Sequence, residues 1–123
     1  MGSVKALSIK QPWAWAILHA GKDIENRTWK TDYRGRVLIH TGKKFDAIGW
    51  EALKDATRFH HKVPDESEFL FGGIVGSVEI VDVVENSPSP WFQGPYGFVL
   101  RNPVEYDFFP LRGQLGFFEV GKK

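Results

Sequence analysis

The stretch that most limits what this chain can become is Gln11-Pro12-Trp13-Ala14-Trp15-Ala16-Ile17-Leu18-His19-Ala20-Gly21-Lys22-Asp23-Ile24-Glu25-Asn26-Arg27-Thr28-Trp29. Pro12 suits the first position of a helix, and Gly21 suits the left-handed residue that stops one. Between them about two and a half turns fit. Trp13, Ala16, Ile17 and Ala20 recur at helical spacing and form one apolar stripe, so this short helix needs a sheet or barrel wall to lie on. Trp13 belongs to that stripe and reads as core, whereas Trp15 points away from it and reads as a lid or stacking surface. If Glu25 to Trp29 is extended, Glu25, Arg27 and Trp29 share one face at steps of roughly 7 Å. A carboxylate, a guanidinium and an indole then stand in a row beside a helix end.

The rest of the chain supplies the wall. Ala6–Lys10 alternates apolar and polar residues and reads as a first strand. Arg36–Thr41 is rich in branched residues, with Val37 and Ile39 facing a core and Arg36, Leu38 and His40 turned away. Asp46 is the predicted N-cap of a second helix, with Phe45 and Trp50 as its hydrophobic staple. Ala47, Trp50, Leu53 and Ala56 form its apolar face, and Val63-Pro64 ends it. His60-His61 would sit near that end as favourable charge at the negative pole of the helix. Ile74–Val84 is a strand long enough to need a bend, for which Gly76 is the natural place. A proline-rich loop from Glu85 to Gly97 carries Trp91 and two further aromatics and is long enough to cover a pocket. Phe98–Arg101 resumes as strand, Asn102-Pro103 breaks it, Val104–Phe109 is weakly extended, and Gln114–Val120 closes the set. These elements predict one α+β domain over residues 1–123, a small mixed β-barrel of five to six strands with two main helices packed outside.

With no cysteine among 123 residues, disulfides, thiol catalysis and cysteine-bound zinc are excluded. The four histidines lack the spacing of helical zinc sites, so no metal is expected, and no nucleotide-binding or nucleophile-elbow motif occurs, so no cofactor is expected. No apolar run reaches the roughly 18 residues of a membrane span, and the N-terminus lacks a secretory apolar region; the expected location is cytoplasmic.

The net charge of +1 conceals an asymmetry: residues 1–44 hold nine Lys or Arg against three acids, and residues 45–123 hold seven against twelve. Two readings stand. In one the halves pair off across the surface; in the other the basic, tryptophan-bearing half faces a phosphate-bearing ligand that stacks. Lys22 and Glu25 likewise allow two readings, an acid–base pair or an ion-paired turn in which Glu25 holds Lys22 or Arg27. Because two cations flank one carboxylate, positive charge is left over and invites an anion. His40 is either a ligand contact or a satisfied wall residue.

Gln11-Pro12-Trp13-Ala14, Gly21-Lys22-x-x-Glu25-x-Arg27-x-Trp29, Arg34-Gly35 and Phe98-Val99-Leu100-x-Asn102-Pro103 together resemble the ASCH family, the activating signal cointegrator homology domains. The resemblance spans nearly the whole chain, and Gly-Lys-x-x-Glu-x-Arg is its most specific part. It implies a barrel similar to the PUA fold and a cleft for RNA or DNA where the signature lysine and glutamate sit. Some similar small proteins are enzymes. One branch hydrolyses N4-acetylcytidine with a lysine, a threonine and a glutamate; another is a ribonuclease. Carried over by position, that lysine falls on Lys22, but the threonine is here Glu25 and its glutamate has no clear counterpart beyond Glu79 or Glu85. The resemblance therefore favours a binder of RNA, single-stranded nucleic acid or a nucleoside or nucleotide. Lys22, Arg27, Arg34, Lys43 and Lys44 are expected on phosphate, Gln11 and Glu25 on base or sugar edges, and Trp15, Trp29 or Trp91 as stacking faces, with His40 beside them. The alternatives are a metal-independent hydrolase using Lys22 and Glu25, and a protein-interaction module built on the proline-rich loop.

Overall fold

The computed structural model describes residues 4–55 and 63–121. The expected charge at His60-His61 lies outside the described residues, as do Ala56 and the last stretch expected of the second helix. Chain order gives strands β1 (Val4–Ser8), β2 (Ile24–Arg27), β3 (Gly35–Thr41), β4 (Gly73–Val84), β5 (Tyr96–Pro110) and β6 (Phe117–Val120). Helix α1 (Trp13–His19) follows β1, and helix α2 (Ala47–Asp55) follows β3. A 3-10 turn at Glu66–Glu68 precedes β4.

The six strands form one mixed sheet in the order β2-β5-β4-β3-β1-β6, in which only β1 and β3 run parallel. The α+β class, the strand number and the two helices are as the sequence predicts. The closed barrel is not: the hydrogen-bonded ladder ends at β2 on one side and β6 on the other. Side chains bridge the gap instead. Trp29, just past β2, lies with its ring 5.4 Å from Phe98 and 5.6 Å from Phe117 of β6, and Phe98 stacks on Phe117 at 6.1 Å. Aromatic packing of this kind needs no ladder bonds, so the edges meet while their backbones stay unpaired.

Val37 and Ile39 are buried in the main core with Leu7, Ile9, Ile17, Val78, Ile80 and Phe98, as their pleat positions require. The opposite face is not solvent, because Leu38 and His40 meet a second cluster of Ala6, Ile74 and Phe118. Gly76 sits where the β4 register slips against both neighbours, and a Cβ there would strike the Val104 carbonyl and Leu18. The break expected at Asn102-Pro103 does not occur. β5 runs through it, since Asn102 takes a left-handed φ of 56° and the register shifts between Ser77 and Glu79, where a proline without an N–H disrupts no ladder bond.

The second helix starts as predicted: Asp46 Oδ1 accepts the Gly49 N–H at 2.9 Å, and the Phe45 and Trp50 rings pack at 5.7 Å. Its buried face differs, carrying Gly49 and Leu53 while Ala47 is exposed. The reason is Trp13, whose indole occupies the space a Gly49 side chain would take and whose Nε1–H donates to Asp46 Oδ2 at 3.0 Å. One tryptophan thereby pins α1 to the start of α2.

Candidate functional site

The turn after α1 sets the site. Gly21 takes φ 74°, and the Ala16 carbonyl accepts both the Ala20 and Lys22 N–H groups, wrapping the chain tightly round the helix end. Lys22 is thereby directed inward and is only 6% exposed. Its ammonium lies 5.1 Å from the Trp13 ring and 5.3 Å from the Trp91 ring, with no hydrogen-bond acceptor among the described residues. Burial pushes its pKa below the ordinary 10.5; Glu25 and Asp23 pull it part of the way back, and Arg27 adds to the depression.

β2 then presents alternate residues to one side. Glu25 Oε2 accepts from Arg27 Nε at 3.1 Å and Nη2 at 2.9 Å, and Arg27 Nη2 also donates to the Ser8 carbonyl at 2.6 Å. The guanidinium carbon is 5.8 Å from the Trp29 ring. Of the two partners that the ion-pair reading allowed Glu25, Arg27 is the one bonded to it. Lys22 is the cation left over.

These groups border a cleft of about 1380 Å³. It is lined from the β1 end by Ser8, Ile9 and Lys10, from the loop before α2 by Lys43, Lys44 and Asp46, from the β4–β5 connection by Trp91 and Gln93, and from the β5–β6 connection by Arg112 to Gly116. Six cationic side chains face it against the two carboxylates Glu25 and Asp46, and Asp46 is already engaged by Trp13 and the helix start.

Of the residues singled out in the sequence, Lys22, Glu25, Arg27, Trp29, His40, Lys43, Lys44 and Trp91 all line this cleft. Three do not. Gln11 is buried and spent on structure, its Oε1 accepting the Trp15 N–H at 2.9 Å and its Nε2 donating to Leu70 O at 3.2 Å. Trp15 packs against Phe69 and His19, because two helical steps of about 100° each turn it off the Trp13 face. Arg34 donates to the Thr31 and Tyr33 carbonyls and stands 3.9 Å from Asp82, outside the cleft. His40 is a wall residue that also borders the cleft: it is 2% exposed, with Nε2 donating to the Leu111 carbonyl at 2.6 Å and Nδ1 3.3 Å from Ser8 Oγ.

Sequence reasoning missed Lys10, Asn26, Gln93, Arg112 and Gln114. Lys10 carried a signal, since Ser8 and Lys10 share the polar side of the first strand pattern. Arg112 and Gln114 carried none, being delivered by the pairing of β6 with β1 from the far end of the chain. Among the described residues no group of three or more His, Asp or Glu is placed to hold a metal ion, and no helix is long and apolar enough to cross a membrane.

The chain is similar to activating signal cointegrator 1 of Homo sapiens, 29% identical over 129 residues covering 95% of this chain, and to that of Mus musculus at 28% with the same coverage. It spans only 22% of the length of either relative. The ASCH domain pattern itself matches residues 7–98, from β1 to the start of β5, and the chain belongs to the ASCH domain family.

Proposed function

We propose that the cleft binds RNA or another single-stranded nucleic acid, or a nucleotide or nucleoside taken from one. The observation that carries this reading is Lys22: a lysine only 6% exposed, its ammonium near two indoles and without an acceptor among the described residues, at the border of a cleft where cations outnumber carboxylates three to one. A buried cation with no acceptor bonded to it is costly even with carboxylates nearby, and an incoming phosphate or base carbonyl relieves that cost. Lys10, Lys43, Lys44 and Arg112 meet backbone phosphates. Glu25, with Oε2 fixed by Arg27, keeps Oε1 for a donor on a base or sugar edge, and Trp29 and Trp91 offer stacking faces. The family supports the same reading, as ASCH domains are associated with RNA binding.

Titration of a fluorescein-labelled single-stranded 12-mer RNA, followed by anisotropy at a series of salt concentrations, tests it. Affinity should fall with salt, with a slope of roughly −0.7 per phosphate engaged. Lys22→Ala should weaken binding by about tenfold or more. An affinity indifferent to salt, or equal in Lys22→Ala, overturns the proposal.

One observation favours a second reading. A lysine whose burial lowers its pKa is better able to give and take protons, and Glu25 Oε1 lies on the same signature segment. That reading is a metal-independent hydrolase of a nucleoside amide or an RNA phosphodiester. Incubation of the pure protein with N4-acetylcytidine and with labelled RNA decides it: turnover lost in Lys22→Met supports it, and no turnover of either substrate removes it.

A further inference from the structure

Residues 85–95 join β4 to β5 without helix or strand and carry Trp91 to the cleft. A segment of that length at the mouth of a site invites description as a lid. Its hydrogen bonds point the other way. Asn26 Nδ2 donates to the Trp91 carbonyl at 3.0 Å, and Asn26 Oδ1 accepts the backbone N–H groups of Gln93 at 2.7 Å and Gly94 at 3.0 Å. Just before β2, Asp23 Oδ1 accepts from Ser89 Oγ at 2.6 Å, and Ser89 Oγ accepts the Trp91 N–H at 3.1 Å. The backbone of Trp91 is thus gripped at both its N–H and its carbonyl. Beneath it Phe92 packs closely enough that a Cβ on Gly97 would come within 2.8 Å of its ring.

We infer that Asn26, assisted by the Asp23–Ser89 contact, is a positioning residue that latches the 85–95 segment as a fixed wall and holds the Trp91 indole over Lys22. The pleat of β2 explains how one strand serves two purposes. Glu25 and Arg27 turn toward each other and the cleft, while Asn26, between them, turns to the connecting segment. A primary amide is the side chain for this position, since it offers a donor and an acceptor to backbone groups at once. Because the wall stands in place beforehand, ligand binding does not have to order it. The consequence for binding rests on the proposed use of the cleft; the latch itself does not.

Amide hydrogen exchange and RNA binding, measured on the full chain and on Asn26→Ala, test both. In the wild type the Gln93 and Gly94 amides should be protected. In Asn26→Ala they should exchange about tenfold faster or more, with the amides of β3 and β4 unchanged, and affinity for the single-stranded 12-mer RNA should fall by about tenfold. If Asn26→Ala also loosens β3 and β4, Ser89→Ala is the second variant, with faster exchange expected at Trp91 alone. Gln93 and Gly94 amides already exchanging freely in the wild type, or unaffected by Asn26→Ala, overturn the latch. Equal RNA affinity in a wild type that binds and in Asn26→Ala overturns its role in positioning Trp91. A wild type that binds no RNA refutes the cleft reading and leaves the exchange pattern to decide the latch.

Discussion

Replacing Lys22 with methionine should make the protein more stable while removing its ligand. Methionine keeps an unbranched stem between Trp13 and Trp91 and deletes the charge. Burying an ammonium costs several kcal/mol in a folded protein. Two indole faces return about 1 kcal/mol each, and the carboxylates Glu25 and Asp23 return more, although Oε2 of Glu25 is engaged by Arg27. The imbalance leaves Lys22→Met about 1–2 kcal/mol more stable at pH 7, a rise in melting temperature of about 3–8 °C for a chain of this size. Urea unfolding followed by far-ultraviolet circular dichroism reads the difference. The pH dependence supplies the diagnostic. The lysine pKa is lower in the folded chain than its ordinary 10.5, so between the two values the unfolded chain binds more protons, and wild-type stability rises with pH across that window. Below the window both states hold the proton and the full penalty persists. The advantage of Lys22→Met is therefore greatest at neutral pH and shrinks as pH approaches 10.5. A methionine variant that is less stable at pH 7, or a gap that stays constant up to pH 10.5, refutes the reasoning.

Three further outcomes follow from the same geometry. Glu25→Gln leaves the guanidinium of Arg27, largely buried, facing a neutral amide; a loss of about 2 kcal/mol in urea unfolding is expected, and an unchanged midpoint would show the pair to be screened. Gly113→Ala drives a methyl into the ring of His40 and should cost about 1–3 kcal/mol, with a displaced His40 Cε1 proton resonance; a normal resonance and midpoint would mean the 111–116 connection simply moves aside. Lys43→Ala and Lys44→Ala should each reduce the salt dependence of RNA binding by about 0.7, whereas Arg34→Ala should leave it unaltered; equal losses from all three would move the binding surface away from the cleft.

What could be read ahead of the structure was local. The helix stop at Gly21, the cap and staple at Phe45, Asp46 and Trp50, the bend at Gly76 and the shared face of Glu25, Arg27 and Trp29 each depend on a few neighbouring residues obeying one periodicity or one backbone preference. Errors arose where distant segments decide. Asn102-Pro103 looks like a strand break until β4 supplies a register shift to absorb it. Trp15 and Gln11 look like ligand contacts until the rotation of α1 and the Leu70 carbonyl claim them. Arg112 reaches the cleft only because β6 pairs with β1. Charge and residue type are visible in a sequence; direction is set by packing.

The same distinction resolves the charge asymmetry of the chain. Were the basic first third simply neutralised by the acidic remainder, its nine cations would be found in ion pairs. Only Lys5, Arg27 and Arg34 are paired with carboxylates among the described residues, and the Arg34 contact is long and exposed. Lys10, Lys22, Lys43 and Lys44 instead converge with Arg112 on the cleft, while Glu79, Asp82, Glu105 and Asp107 lie along β4 and β5. A molecule with a net charge of +1 attracts a polyanion weakly as a whole, yet this separation turns its positive side toward one. Lys22 lines the same cleft. Among the described residues it is the cleft cation withdrawn from water without a carboxylate bonded to it, so on the proposed reading it gains most from an incoming anion, which the exposed lysines at the rim would attract.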